Sequence, residues 1–311
     1  MGRYRKAGLF VVLAYAIAWI IVGGYVFAGG VWGSPSSILV GVAMMWAPAI
    51  AAIVVQRGIY GEPIRGPLGV SFSPNRWLLV AWLLPIALVA LTIVVGSLLP
   101  GVAFTTDLES YLIGAGLPAD EVDSALAELE ALPVPPLVLF IVGGLIGGAT
   151  INALAAFGEE LGWRGLLLAE LRGLGFWRAS IAIGIVWGLW HAPVVLLGHN
   201  FPENPVPGVL MMTLATTAIT PVYVYVTIRA RSVLAPTLLH GSFNALAGFT
   251  LVFVVGGSDL LVSPVGLAGI VAALVVVGGC VVHDRYVAAE SITTTAALPA
   301  FDDGSGDVPV A

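Results

Sequence analysis

The stretch NALAAFGEELGWRGLLLAEL, residues 152–171, sets Glu159, Glu160 and Arg164 inside an otherwise almost wholly apolar run. Downstream, GIVWGLWHAP carries His191, and LLHGSFNALAG carries His240 and Asn244. A carboxylate, two imidazoles and an amide are the groups needed to activate water. The carboxylate can take a proton as general base, and neutral imidazoles can hold a metal ion or donate to an oxyanion. The amide can orient an imidazole or bind a carbonyl oxygen. Glu160 and Arg164 stand four apart and can pair along one helix face, as scaffold rather than chemistry. That pairing leaves Glu159 as the carboxylate with no partner on its own helix, and therefore as the candidate reactive group.

The elements that must position these groups are membrane helices. The chain has 311 residues, is 59% hydrophobic and only 10% charged, and has a mean hydropathy of +1.02. Those values lie outside the range of a soluble domain of this length. Apolar runs near 8–28, 37–55, 77–99, 136–171, 178–198, 208–228, 232–256 and 264–283 are each long enough for a span of about 20 residues. They lack the short alternating segments of a membrane barrel. The expected fold is an all-α polytopic bundle of about eight transmembrane helices with a polar intramembrane cavity. Residues 1–287 form a single membrane-embedded domain, and 288–311 an acidic, disordered tail.

Every Lys and Arg except Arg164 falls at alternate ends of these runs, whereas the loop 101–135 carries acids and no basic residue. With the positive-inside rule this places both termini in the cytoplasm of a multi-pass cell-membrane protein and reads the first run as a retained helix. The segment 118–132 patterns as an amphipathic surface helix capped by Asp120, with Val122, Ala125, Leu126, Leu129 and Leu132 on one face. The run 136–171 would measure about 54 Å as one helix. It must therefore break near Gly143, Gly144, Gly147 and Gly148 or begin outside the bilayer. Pro193 and Pro236 give both His-bearing helices a place to bend. The single Cys280 excludes an internal disulfide and a cysteine zinc cluster.

Depth unites the polar groups. Glu159, His191 and Asn244 each lie thirteen residues inward from an arginine (Arg172, Arg178, Arg231), and His240 lies nine from Arg231. All sit about 14–20 Å from one membrane edge. An ionisable group at that depth costs several kcal/mol unless paired or hydrated, which argues for an internal polar cavity, expected here to open to the cytoplasm. His199 in an outer loop and His283 beside Asp284 are expected to be interfacial and unrelated. Trp163 and Trp190 are candidate walls.

The ordered set EELGWR, WGLWH and HGSFN, within residues 152–251, resembles the three motifs of the CPBP family of intramembrane proteases, which includes the CAAX prenyl endopeptidases and bacteriocin-processing or immunity-associated proteins. The resemblance implies Glu159, His191 and His240 as catalytic groups with Asn244 in support. It departs at Trp187, where the family commonly has Phe. What it implies is an endopeptidase cutting near the membrane surface, with membrane lipids and a membrane-associated or lipidated protein or peptide as partners, and no nucleic acid. A divalent metal, zinc, held by His191 and His240 with Glu159, is one expectation, and a metal-free glutamate mechanism the other. A proton-coupled transporter and a non-proteolytic adaptor or immunity protein are the alternative classes.

Overall fold

The computed structural model describes residues 4–72, 74–114 and 117–301; Arg3 and the tail beyond Phe301 lie outside the described residues. The described residues are mostly helical, with one small two-stranded sheet. In order it forms α1 (Arg5–Phe27), α2 (Pro35–Ile53) with a π-helical extension (Val54–Ile59), α3 (Arg76–Ser97), β1 (Val102–Phe104), α4 (Leu108–Gly114), α5 (Ala119–Glu130), α6 (Pro136–Ala149) and α7 (Ile151–Glu160). After a π-helical turn (Leu161–Leu167) come α8 (Leu168–Leu171), α9 (Gly175–Trp190), α10 (Ala192–Leu196), α11 (Pro205–Ala230), α12 (Leu234–Leu246), α13 (Phe249–Phe253), β2 (Val254–Gly256), α14 (Asp259–Val262) and α15 (Leu267–Tyr286).

Every apolar run of the sequence falls on a helix, and among the described residues six continuous stretches are long and apolar enough to cross a bilayer. One of them, Ile151–Trp190, is a hairpin. Trp187 Nε1 lies 2.6 Å from Glu159 Oε2, 28 residues back, where a straight helix would separate the two by about 42 Å. The chain reverses at Gly175, whose φ of +74° is open to glycine at little cost. The long run 136–171 breaks at Thr150 (φ −119°, ψ −94°), directly after Gly147 and Gly148. The run 232–256 contributes only the 13-residue α12 and the five-residue α13 before turning into β2. Pro236 sits in the first turn of α12 and bends nothing, whereas the other His-bearing helix does give way, at His191, just before Pro193.

The bundle has two chemically different ends. Where α1 begins, Lys6 Nζ meets Glu62 at 2.5 Å and Glu170 at 3.2 Å. Nearby, Asn75 Nδ2 donates to the Ala230 carbonyl, and Ser71 and Ser232 are tied across the same end. At the opposite end β1 pairs antiparallel with β2, and Asn204 Nδ2 donates to Asp259 Oδ1 at 2.6 Å. α5 runs as expected with Val122 buried, but Pro118 and not Asp120 occupies its N-cap position.

Residues 288–301, expected to be disordered, are packed as a strap. Asp284 accepts hydrogen bonds from Ser291, Ile292 and Thr293 and pairs with Arg229. Leu298 N–H donates to the Arg172 carbonyl, and Phe301 is buried against Gly69. Ile292, Leu298 and Phe301 supply apolar anchors that net charge and loop-like composition concealed.

Small residues let the site-bearing helices approach closely. A Cβ on Gly184 of α9 would lie 2.5 Å from the Thr217 backbone of α11, and one on Gly158 would lie 2.6 Å from the Met45 carbonyl of α2. Gly184→Leu is therefore expected to lower the thermal midpoint in detergent by an amount equivalent to about 1–3 kcal/mol of overpacking. An unchanged midpoint would mean that α9 and α11 are not in contact there.

Candidate active site

Glu159 and Glu160 are adjacent on α7, so they point about 100° apart around the helix and meet different neighbours. Both are almost wholly shielded, at 1% and 0% exposure. Glu159 Oε2 accepts from the indole N–H of Trp187 (2.6 Å) and of Trp163 (3.3 Å), which leaves Oε1 as the oxygen without an indole donor. Glu160 Oε1 accepts from Arg164 Nη1 at 3.0 Å and from His240 Nδ1 at 2.8 Å. Arg164, also fully buried, lays its guanidinium against the rings of Trp187 (4.3 Å) and Tyr223 (4.2 Å), and Nη2 reaches Thr220 Oγ1. The π-helical turn from Leu161 to Leu167 carries Trp163 and Arg164; such widened turns are frequent at functional sites.

The two imidazoles are held in the same way. His191 Nδ1 lies 2.8 Å from the Trp187 carbonyl, which can only accept, so Nδ1 carries the proton and Nε2 the lone pair in the neutral ring. His240 Nδ1 faces a carboxylate and is oriented likewise. Both rings thus leave Nε2 for the space that they border.

That space is one cavity of about 360 Å³, and Glu159, His191, His240 and Asn244 all line it. Four residues from three separate polar motifs therefore meet at one place. Asn244 makes no hydrogen bond to His240; Glu160 holds that ring instead. Trp190 lines the cavity, and Trp163 lies behind it, holding Glu159.

The rest of the wall was not legible beforehand. Trp187, noted from the sequence only as standing where the family commonly has Phe, supplies the shorter hydrogen bond to Glu159 and a face for Arg164. His199, expected to be unrelated, lines the same cavity and packs edge-on against Trp32 at 5.6 Å. Its burial holds the imidazole below its ordinary pKa. Met44 and Met45 of α2 and Ile219 of α11 complete an apolar lining that no polar motif could signal. His283 stays apart from the cavity, with Tyr225 Oη at 2.7 Å from its Nδ1.

No group of three His, Cys, Asp or Glu side chains converges closely enough to hold a metal ion among the described residues. Glu159 gives Oε2 to the indoles and keeps Oε1 free, so His191, His240 and Glu159 are the residues that would hold a divalent metal here.

Trp187→Phe keeps the ring and removes the N–H. Losing one hydrogen bond to a carboxylate is worth about 1.5–3 kcal/mol, so single-turnover hydrolysis is expected to fall about tenfold or more with KM nearly unchanged. A rate within twofold of the parent would assign the placing of Glu159 to Trp163.

Fold and site together define a multi-pass helical membrane protein with a buried carboxylate and two tautomerically fixed imidazoles around an internal cavity. Residues 134–246 match the family model described as Type II CAAX prenyl endopeptidase Rce1-like. A 49-residue stretch is 43% identical to CAAX prenyl protease 2 of Methanococcus maripaludis. That stretch covers 15% of this chain and 18% of the relative, so the alignment spans less than a fifth of that protein's length. The family-model match covers about a third of the chain and includes the segment that carries the site, and it is there that the chain is similar to CAAX prenyl endopeptidases.

Proposed function

We propose that this protein is an intramembrane endopeptidase in which Glu159 activates water. The observation that carries the reading is the meeting of Glu159, His191, His240 and Asn244 around a single cavity; the family match on the same segment supports it. In the proposed reaction Glu159 takes a proton from a water held beside it, and the water oxygen bonds to the scissile carbonyl carbon. The oxygen that gains charge is stabilised by the Asn244 amide, while the Nε2 lone pair of His191 or His240 accepts a hydrogen bond from the attacking water and orients it. The carbon–nitrogen bond then breaks, and the proton on Glu159 passes to the departing amine. Atoms balance as one water consumed and one new carboxyl and amine formed.

Glu160 and Arg164 act in this scheme as positioning residues. Their pair fixes α7, and Glu160 sets the tautomer of His240. The substrate is proposed to be a membrane-associated or lipidated protein or peptide, reached from surrounding lipid. Both termini are proposed to lie in the cytoplasm, following the arginine distribution.

The test is the purified protein in detergent with a panel of fluorogenic peptides, products read by mass spectrometry. An internal bond cut with incorporation of one ¹⁸O from labelled water supports the reading. Intact peptides throughout, with substrate-driven proton flux in liposomes, would instead mark a transporter. Activity is expected to survive chelation with less than one metal per chain bound; stoichiometric metal and specific metal rescue would overturn the metal-free route.

A further inference from the structure

The oxygen that gains charge during peptide hydrolysis is held best by more than one donor, and so far only the Asn244 amide has been assigned to it. On the helices that border the cavity, the other N–H and O–H side chains are mostly committed elsewhere. The indoles of Trp187 and Trp163 donate to Glu159. The Nδ1 protons of His191 and His240 go to the Trp187 carbonyl and to Glu160. Thr216 donates to backbone carbonyls, and the indole nitrogen of Trp190 is sealed within the protein without a partner.

Tyr223 differs from all of these. It belongs to α11, two residues beyond Pro221, and its side chain lines the cavity. Among the described residues its hydroxyl has no hydrogen-bond partner, yet it is not one of the polar atoms sealed without one, so the phenol oxygen opens onto the cavity. The ring that carries it is fixed. Arg164 lays its guanidinium 4.2 Å from the ring centre, and the rings of Trp187 and His240 stand at steep angles to it at 5.4 and 5.9 Å. Trp187 holds Glu159 and His240 lines the same space, so the phenol stands among the reacting groups. A phenylalanine would carry Arg164 equally well. A buried tyrosine hydroxyl ordinarily finds a partner, and one left open beside a reactive carboxylate is available to a group that arrives with the substrate.

Resting on the hydrolase reading above, we infer that Tyr223 is a further catalytic residue, whose hydroxyl donates a hydrogen bond to the oxygen of the scissile carbonyl and forms with the Asn244 amide a two-donor oxyanion site. Tyr223 comes from α11 and Asn244 from α12, so the carbonyl oxygen is gripped between two helices while Glu159 of α7 activates the water. As the water oxygen bonds to the carbonyl carbon, the carbonyl π pair moves onto its oxygen, and the Tyr223 hydrogen bond strengthens with the proton staying on the phenol. When the carbon–nitrogen bond breaks, the pair returns and the hydrogen bond weakens. Tyr223 neither gains nor loses a proton over the cycle, and its contribution is larger in the transition state than in the bound substrate.

Tyr223→Phe isolates the hydroxyl, because it keeps the ring against which Arg164 and His240 pack. Its thermal midpoint in detergent is expected to match the parent's. Its kcat on a fluorogenic peptide is expected to fall by about 10²-fold, the scale for loss of one oxyanion donor, with KM nearly unchanged. Tyr223→Leu removes the ring as well and should lose both midpoint and activity. A kcat for Tyr223→Phe within a few-fold of the parent overturns the inference and leaves Tyr223 as a support for Arg164. The second measurement needs no catalysis. In Glu159→Gln, a peptide carrying a phosphinate in place of the scissile amide presents a tetrahedral anionic centre that cannot be cut. Adding Tyr223→Phe is expected to weaken its binding by about tenfold or more, as for a hydrogen bond to a charged group, and to leave binding of the ordinary peptide nearly unchanged. Equal phosphinate affinity with and without the hydroxyl, or no phosphinate binding to either, overturns the inference. A parent protein that cuts no peptide, together with phosphinate binding that depends on the hydroxyl, sustains the donor and rejects the hydrolase reading.

Discussion

Glu159→Gln is expected to abolish hydrolysis while leaving a folded protein that still binds substrate. Glu159 lines the cavity with both imidazoles, and its Oε2 is held by two indole N–H groups. Glutamine keeps the volume and a carbonyl oxygen for those donors but cannot accept the proton from water. Among the described residues no cation forms an ion pair with Glu159, so neutralising it strands no buried charge. Loss of general-base assistance corresponds to about 10²–10⁴ in rate. Single-turnover cleavage at saturating peptide isolates that step. A rate within a few-fold of the parent would make Glu159 structural and send the mechanism elsewhere.

The second large effect is the reverse, a loss of fold. Glu160 and Arg164 are both fully buried and 3.0 Å apart, and the carboxylate also holds His240. Glu160→Gln leaves Arg164 with aromatic faces and a threonine hydroxyl but no counter-charge; Arg164→Met leaves Glu160 with only the histidine. Removing one partner of a buried pair costs about 3–5 kcal/mol, because the remaining charge stays desolvated. Each single variant is expected to unfold well below Glu159→Gln in detergent. The double variant Glu160→Gln with Arg164→Met should lose less than the sum of the two, since neither charge is stranded. Equal midpoints for Glu159→Gln, Glu160→Gln and Arg164→Met would remove the division between a reactive and a structural carboxylate.

The two adjacent carboxylates show where local spacing was informative. An i,i+4 relation fixes which side chains share a helix face, so the Glu160–Arg164 pair could be read from the chain and is present. The same rule is silent about partners on other helices. It missed that Glu160 also holds His240, 80 residues away, and that Trp187 and Trp163 supply Glu159 with donors. Counting inward from arginines put Glu159, His191, His240 and Asn244 at one depth, because helix rise is constant, and they do border one cavity. Depth carries no rotation about the helix axis, which is why His199, in a loop, was set aside although it lines the same space.

Hydropathy by itself determined that this is a polytopic helical membrane protein, since unpaired backbone groups cannot be left in hydrocarbon and every apolar run had to become a helix. It also located the polar groups that had to be buried together. Only the tertiary structure decided how the runs are used. It broke the fourth run at Thr150, shortened the seventh to α12 and α13, and folded Ile151–Trp190 back at Gly175. It also packed residues 288–301 as a strap. Those outcomes depend on contacts between residues far apart in the chain, such as Gly158 against Met45, Gly184 against Thr217 and Asp284 against Thr293. Their energies arise only once two helices or a helix and a strap are side by side, and no periodicity along one segment encodes them.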